Sequence, residues 1–221
     1  ELADRYGAQT KAVQHHHAHM ASIMIDNGLS QRDSVVFIAI DGVGYGTDGM
    51  AWGGEIFVGG YADFKRVAQL KYQPLPGGDI CSYYPARMLA ATLSTIMSDS
   101  EVIDFFNNKY INYLNRKENE LNIILKQVKN NNILKTSSMG RLLDSIAVLL
   151  DVCQKRTYEG EPPMKLESIA NAGHPNNVTL RLPTSQDSDK IVLDTSELML
   201  SIIENMKSSN KLDIAYEVHK I

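Results

Sequence analysis

Four histidines lie within five positions near the start of the chain, in the run His15-His16-His17-Ala18-His19. Histidine is the commonest metal ligand among side chains that are neutral when they bind. His15 and His19 are four residues apart, so on a helix they share one face and can bind one metal ion. At helical spacing His16 and His17 point elsewhere, which favours packing or polar contacts for both of them.

A carboxylate and a glycine-rich turn follow an apolar segment. The run Val35–Ile40 is β-branched and apolar, which is typical of a strand buried on both faces. Asp41 comes directly after it, where a carboxylate is poorly placed unless it binds something or forms a turn with the next residues. Gly42, Gly44 and Gly46 would let the backbone approach a phosphate group. A metal ion beside a phosphate-binding turn indicates nucleotide chemistry.

Bulk composition excludes several classes of protein. The chain has 221 residues and a formal net charge of -4, with no basic stripe that would favour a nucleic-acid duplex as its ligand. No apolar stretch approaches the roughly 20 residues of a membrane helix, and the N-terminus carries no signal pattern. Cys81 and Cys153 form no C-x-x-C pair, so we expect two reduced, buried thiols in a cytoplasmic protein.

Hydrophobic periodicity predicts strands first, then helices, then strands and helices again, which indicates an α/β fold with helices covering a mixed sheet. The predicted strands are Val35–Ile40, Trp52–Gly59, Arg66–Tyr72, Val178–Leu182 and Lys190–Leu193, the last two pairing across the loop Pro183–Asp189. The predicted helical segments are Leu2–Asn27 (broken near the histidine run), Pro85–Met97, Val102–Lys129, Ser138–Asp151, Pro163–Asn171, Ser196–Lys207 and one from Leu212. The stretch Gly42–Gly49 is predicted to be a turn region.

Several motifs together resemble one protein family. They are Val13–His19, Asp41–Gly49, Trp52-Gly53-Gly54-Glu55, Leu75–Asp79, Ser137–Asp144 and Tyr158–Glu161. In this order and spacing they resemble the HypF carbamoyltransferase family of nickel–iron hydrogenase maturation, in its C-terminal nucleotide-binding domain. A more distant resemblance is to the family that makes threonylcarbamoyl-adenosine in tRNA. No single motif carries the resemblance alone.

The resemblance implies a fold of the actin/hexokinase/Hsp70 type (ASKHA). Residues 1–34 would be the helical end of a first lobe that carries the histidine motif, and residues 35–221 an incomplete second lobe. The resemblance also implies that the chain is truncated at both ends, because the family's later strand and its last metal-binding aspartate are missing. An unpaired apolar edge near Val178–Leu182 or Val192-Leu193 would then favour a homodimer, unless the helix from Leu212 covers it.

The resemblance further implies a set of site residues and ligands. His15, His19 and Asp41 would bind a divalent metal, Fe or Zn, with Mg as an alternative. ATP or carbamoyl-adenylate would contact Gly42, Gly44, Gly140, Arg141 and Asp144, although Gly140 and Asp144 could also serve a close helix crossing and a surface position. Gly77, Gly78 and Asp79 would shape the channel by which carbamoyl-adenylate arrives. No catalytic residue can be identified.

The activity implied by the resemblance is transfer of a carbamoyl group. The group would move from carbamoyl-adenylate to the C-terminal cysteine of the maturation partner HypE, where it later becomes the cyanide ligand of the hydrogenase iron. Two alternatives stay open at this point. The chain could be a non-catalytic remnant that serves as a scaffold, or a related carbamoyltransferase acting on a hydroxylated small metabolite.

Overall fold

A computed structural model describes residues 2–130, 132–174 and 178–221, so Glu1 of the predicted first lobe (residues 1–34) lies outside the described residues. The strands are β1 (Val35–Tyr45), β2 (Ala51–Gly59), β3 (Phe64–Leu70), β4 (Gln73–Pro74), β5 (Lys135–Thr136), β6 (Thr184–Asp187) and β7 (Lys190–Leu193). The α-helices are α1 (Leu2–Tyr6), α2 (His15–Asp26), α3 (Ile80–Tyr83), α4 (Ala86–Leu93), α5 (Asp99–Phe105), α6 (Lys117–Val128), α7 (Met139–Leu149), α8 (Glu161–Ala170), α9 (Thr195–Asn205) and α10 (Lys211–Lys220).

The strands form one mixed sheet, as the sequence predicts. β1, β2 and β3 make an antiparallel meander, in which Val36 lies opposite Val58 and Ile56 lies opposite Ala68. β5 pairs in parallel with β2, and β7 pairs in parallel with β3. The remaining strands, β4 and β6, pair antiparallel with β5 and β7. The sheet is therefore antiparallel where it begins and mixed farther along the chain.

Three apolar clusters hold the described elements together. The largest lies among the helices from α4 to α10, with Leu89, Phe106 and Ile146 fully buried. One of the two smaller clusters contains Ala39, Trp52 and Phe57 of the first strands. The other contains Ala51, Leu75, Cys81 and Met88. Within the described residues, no helix combines the length and the apolar character needed to cross a membrane.

The first strand differs from its predicted form in burial and in length. Val36, Ile38 and Ile40 are 69%, 62% and 70% exposed, so one face of β1 is open and not buried as predicted. Among the described residues β1 pairs only with β2, which makes it an edge strand. The strand also continues through the first half of the predicted turn, to Tyr45, with its register broken between Ile40 and Gly44. Asp41 lies inside this irregularity, where ladder pairing does not constrain it.

The prediction of one long helix over Val102–Lys129 is wrong, because the segment is interrupted between α5 and α6. α5 passes into a π-helical turn (Phe106–Tyr110) and a short 3-10 turn (Ile111–Tyr113), and α6 begins only at Lys117. The apolar spacing continues across this break because Tyr110 and Leu114 still enter the same core. Periodicity alone therefore could not reveal the interruption.

The strand predicted at Val178–Leu182 is also wrong, and β6 lies instead in the predicted loop. Side chains of α9 satisfy the backbone of this segment: the amide nitrogen of Thr179 donates to Asn205, and that of Arg181 donates to Ser201. Since β7 is paired on both sides, the apolar edge predicted at Val192-Leu193 is absent. The last helix, α10, packs against α8 and does not cross the sheet edge.

Candidate functional site

The histidine helix is held to the rest of the molecule at its N-terminal end and along its buried face. Gln14 caps α2, because its side-chain oxygen accepts a hydrogen bond from the amide nitrogen of His17, 2.8 Å away. Its side-chain nitrogen donates to the carbonyl oxygen of Tyr45 at the end of β1. Farther along the helix, Met20 and Met24 are 1% exposed and anchor it on the sheet. The glutamine before the histidines therefore sets where they lie relative to β1.

At this junction His15 lies close to each of the other two predicted metal-binding side chains, His19 and Asp41. Nε2 of His15 lies 3.1 Å from Nε2 of His19 and 3.3 Å from Oδ2 of Asp41. Donor atoms bound to one zinc ion at about 2.0–2.1 Å from it are roughly 3 Å apart, so these separations suit a shared ion. Among the described residues, the side chains whose ligand atoms all lie within 4.8 Å of one another are His15, His16 and Asp41, so His16 and not the predicted His19 belongs to this compact cluster. Imidazole nitrogens with one carboxylate oxygen suit Zn or Fe better than Mg.

Asp41 is held in its ionised form by its hydrogen bonds. Partial burial opposes ionisation, but the hydrogen bond from His16 and those from the amide nitrogens of Val43 and Gly42 outweigh it and lower the pKa of Asp41. An ionised carboxylate accepts hydrogen bonds and binds cations. Its Oδ2 atom is therefore available to a metal ion at neutral pH.

The other two histidines have different surroundings. His17 turns away from the site, as expected, and its Nε2 lies 2.8 Å from the carbonyl oxygen of Gly60. His16 does not point away: it is 1% exposed, and its Nε2 lies 3.2 Å from Oδ2 of Asp41. Sequence reasoning assigned it packing or polar contacts but missed this particular partner. No local signal identifies it, since the partner lies on another element.

A cavity of about 360 Å³ opens beside the histidine cluster. Its lining comes from motifs that are far apart in the sequence. The lining residues are Asp41, Gly42, Val43, Ala51, Leu75, Gly78, Asp79, Ser82, Tyr83, Thr136, Arg141, Arg156 and Glu159. The structure therefore brings Asp41 and Gly42 together with Arg141 and with the predicted channel residues Gly78 and Asp79.

Three residues predicted to contact nucleotide have other neighbours in the structure. A Cβ atom on Gly44 would lie 2.5 Å from Nε2 of His16, so this glycine makes room for the imidazole ring. A Cβ atom on Gly140 would lie 3.1 Å from Cα of Gly42, so helix α7 approaches strand β1 closely at this glycine. The carboxylate of Asp144 is buried and does not line the cavity, so the alternative of a surface aspartate is wrong.

Asp144 instead forms a buried ion pair with Arg141, which lines the cavity. Its Oδ2 is 3.0 Å from Nη2 of Arg141, and both side chains are nearly buried. Burial raises the pKa of Asp144 to about 6, although the charges of Arg141 and Arg156 oppose the increase. Sequence reasoning missed Arg156, which carries no motif of its own and lies with its guanidinium carbon 5.2 Å from the centroid of the Tyr83 ring. Two arginines therefore face one cavity and suit an anionic ligand.

The side chain of Arg87 holds the loop that carries the predicted channel residues Gly77, Gly78 and Asp79. Arg87 donates from Nε and Nη2 to the carbonyl oxygen of Pro76, and its Nη1 donates to the carboxylate of Glu120. Gly77 and Gly78 have φ values of 88° and 61°, which L side chains rarely adopt. Gly78 and Asp79 line the cavity, and a Cβ atom on Gly77 would lie 3.1 Å from Nη2 of Arg87.

The two cysteines are free and buried, as predicted. Burial raises the pKa of Cys81 to about 12, against the opposing charge of Arg87, and burial also raises the pKa of Cys153. A thiol of high pKa is a poor nucleophile because almost none of it is thiolate. Neither cysteine lines the cavity, which agrees with assigning them no catalytic role.

Comparison with known proteins finds close relatives. Residues 37–221 match the family model described as carbamoyltransferase, Kae1-like domain, second subdomain. The chain is 35% identical over 221 residues to the probable carbamoyltransferase HypF of Methanocaldococcus jannaschii, covering 99% of this chain and 27% of that protein. It is also 32% identical over 231 residues to the carbamoyltransferase HypF of a Synechocystis species, covering 99% of this chain and 29% of that protein.

Solved structures give the same result. The crystal structure of HypF from T. kodakarensis superimposes with a TM-score of 0.85 at 44% identity, covering 99% of this chain and 28% of that one. A crystal structure of full-length HypF in a phosphate- and nucleotide-bound form gives a TM-score of 0.81 at 34% identity. The match covers 95% of this chain and 26% of that one. The chain thus spans less than a third of the length of each of these relatives.

Proposed function

This chain belongs to the HypF carbamoyltransferase family, and we propose that it forms the part of such an enzyme that binds the activated carbamoyl donor. The donor would be carbamoyl-adenylate, made from carbamoyl phosphate and ATP elsewhere in the enzyme. The acceptor would be the C-terminal cysteine of the maturation partner HypE. The transferred group would later supply the cyanide ligand of nickel–iron hydrogenase.

The observation that carries this proposal is the convergence of separate motifs on one cavity. Asp41 and Gly42 lie on one side of it, Arg141 and Arg156 contribute two cationic groups, and Gly78 belongs to the opposite loop. Cationic forks of this kind bind phosphate oxygens through charge-assisted hydrogen bonds. A relative of known structure has been solved with phosphate and nucleotide bound, which supports the same class of ligand here.

The chemistry would need little from a protein nucleophile. The acceptor thiolate attacks the carbamoyl carbon, the new C–S bond forms, and the bond from that carbon to the phosphate oxygen breaks, releasing AMP. Carbamoyl-adenylate is already activated, so this chain would mainly position it and stabilise the leaving phosphate. Arg141 and Arg156 would hold the phosphate charge as it develops.

A divalent metal would complete the site, with His15, His19 and Asp41 as the residues that hold it. Their separations and the ionised state of Asp41 support this assignment. When bound, the ion would supply Lewis-acid stabilisation of phosphate oxygens.

The remaining parts of the proposal concern the setting of the enzyme. The fold is assigned to the actin/hexokinase/Hsp70 type, with residues 1–34 as the helical end of a first lobe and residues 35–221 as a second lobe. The contact of Nε2 of His16 with Oδ2 of Asp41, at 3.2 Å, supports a site shared by these two parts. Cytoplasmic localisation and docking to HypE follow from the family's role in hydrogenase maturation.

A binding experiment tests the assignment of the cavity. We expect Arg141→Gln and Arg156→Gln each to weaken AMP binding about 10–100-fold, because a hydrogen bond to a charged group contributes about 1.5–3 kcal/mol. Lys155→Gln removes the same charge from an exposed neighbour and should leave the affinity unchanged. Calorimetric titration with AMP measures all three, with thermal unfolding as the check on folding. Unchanged affinity in both arginine variants would place the nucleotide elsewhere.

A further inference from the structure

His16 is the most deeply buried of the four clustered histidines, and it lies between two carboxylates. Its Nε2 is 3.2 Å from Oδ2 of Asp41, and its Nδ1 is 3.8 Å from Oε2 of Glu55. Nδ1 is buried and has no hydrogen-bond partner. The ring therefore makes its one hydrogen-bond contact with the carboxylate that faces His15.

The buried carboxylate of Glu55 lies next to the ring of His16, on its Nδ1 side. It is 1% exposed, and its Oε2 accepts hydrogen bonds from the amide nitrogens of Gly53 at 2.7 Å and Gly54 at 2.8 Å. Its other oxygen accepts a hydrogen bond from the hydroxyl group of Ser137. Because three donors fix the carboxylate of Glu55, its position is set independently of His16.

The ring of His16 has no room to turn. It lies near Trp52 with ring centroids 6.5 Å apart and planes 19° apart, and near Phe57 with centroids 6.0 Å apart. On the Nε2 side, Gly44 approaches so closely that even a Cβ atom would collide with the ring. Since an ionised carboxylate only accepts hydrogen bonds, the contact with Asp41 is a hydrogen bond in the tautomer that carries its proton on Nε2, and this is the tautomer we assign to His16.

We propose that His16 is a positioning residue for the metal site: its fixed Nε2–H group orients the carboxylate of Asp41 toward His15 and His19. This inference rests on the metal site of the proposed function and extends it to a residue that does not itself bind the ion. Partners that orient metal ligands commonly contribute a large part of the affinity. His16 thereby connects the buried residue Glu55 to the ligand that β1 supplies.

Two amide variants separate this role from the alternatives. In His16→Gln the side-chain nitrogen reaches the place of Nε2 and can still donate to Asp41, whereas in His16→Asn the same group is one methylene too short. We expect Zn²⁺ affinity close to wild type in His16→Gln, and a loss of about 10–100-fold in His16→Asn, the usual cost when the partner of a metal ligand is removed. Calorimetry with Zn²⁺ on the 221-residue chain measures both affinities, and thermal unfolding measures the stability of each variant.

Each of the other outcomes has a distinct meaning. Equal, large losses in both variants would overturn the proposal and make His16 a ligand, because neither amide replaces an imidazole on zinc. Wild-type affinity in both variants, with only a lower melting temperature, would overturn it in favour of a purely structural role. Absence of Zn²⁺ binding in the wild-type chain would instead remove the metal site of the proposed function, and this inference with it.

Discussion

The substitution Asp41→Asn is expected to lower the affinity of the chain for Zn²⁺ by more than about 100-fold, because losing only an outer partner of a metal ligand already costs about 10–100-fold. Asparagine has nearly the same shape, and its one side-chain oxygen can still accept the hydrogen bond from the amide nitrogen of Val43, while its amide group takes the place of the oxygen that faces His16. The fold should therefore persist, and calorimetric titration would report the loss of the charged ligand.

The histidines provide the matched comparison for this prediction. His19→Ala should abolish most of the binding, since Nε2 of His19 faces Nε2 of His15. His17→Ala should leave most of it, since the ring of His17 faces Gly60 and Phe64 instead. Equal losses of Zn²⁺ affinity in these two variants would contradict the assignment of His19 as a specific metal ligand.

A second large effect is expected on stability. Glu120→Ala should lower the free energy of unfolding by about 3–5 kcal/mol, the range found when one partner of a buried ion pair is removed. The guanidinium group of Arg87 would then remain buried without its carboxylate, and the amide nitrogen of Arg116 would lose its acceptor. Urea denaturation monitored by circular dichroism measures the change.

Glu118→Ala is the control for this loss. Glu118 lies on the same helix but is exposed, so its removal should change the free energy of unfolding by no more than about 0.5 kcal/mol. Similar values for the two variants would mean that the contact of Arg87 with Glu120 adds nothing to stability. The pair also matters for function, because Arg87 holds the loop that carries Gly78 into the cavity.

Local patterns predicted the parts of the site that depend on spacing within one element. Helical spacing brought His15 and His19 onto one face, and the end of an apolar strand marked Asp41. The partner of His16 could not be predicted, because the register break in β1 decides which way Asp41 faces. Arg156 joins the cavity through tertiary packing alone, and no sequence pattern marks it.

The same distinction explains the errors in the fold. An apolar, β-branched run does not reveal whether one face or both faces of a strand are covered, so the exposure of Val36 and Ile38 was missed. At 178–182 the sequence favours a strand, but side chains of α9 hold the backbone instead. In both cases distant residues determine the outcome, which intrinsic propensity cannot describe.

The central claim is that one site holds both a divalent metal and an adenine nucleotide. Its most direct test is the affinity of the chain for AMP, measured by calorimetry with saturating Zn²⁺ and again after the metal has been removed with a chelator. We expect AMP to bind about 5–150-fold more tightly with the metal present, the usual range of coupling between sites, and Zn²⁺ affinity to rise by the same factor with AMP. Equal AMP affinity with and without the metal, or no AMP binding in either condition, would contradict the claim.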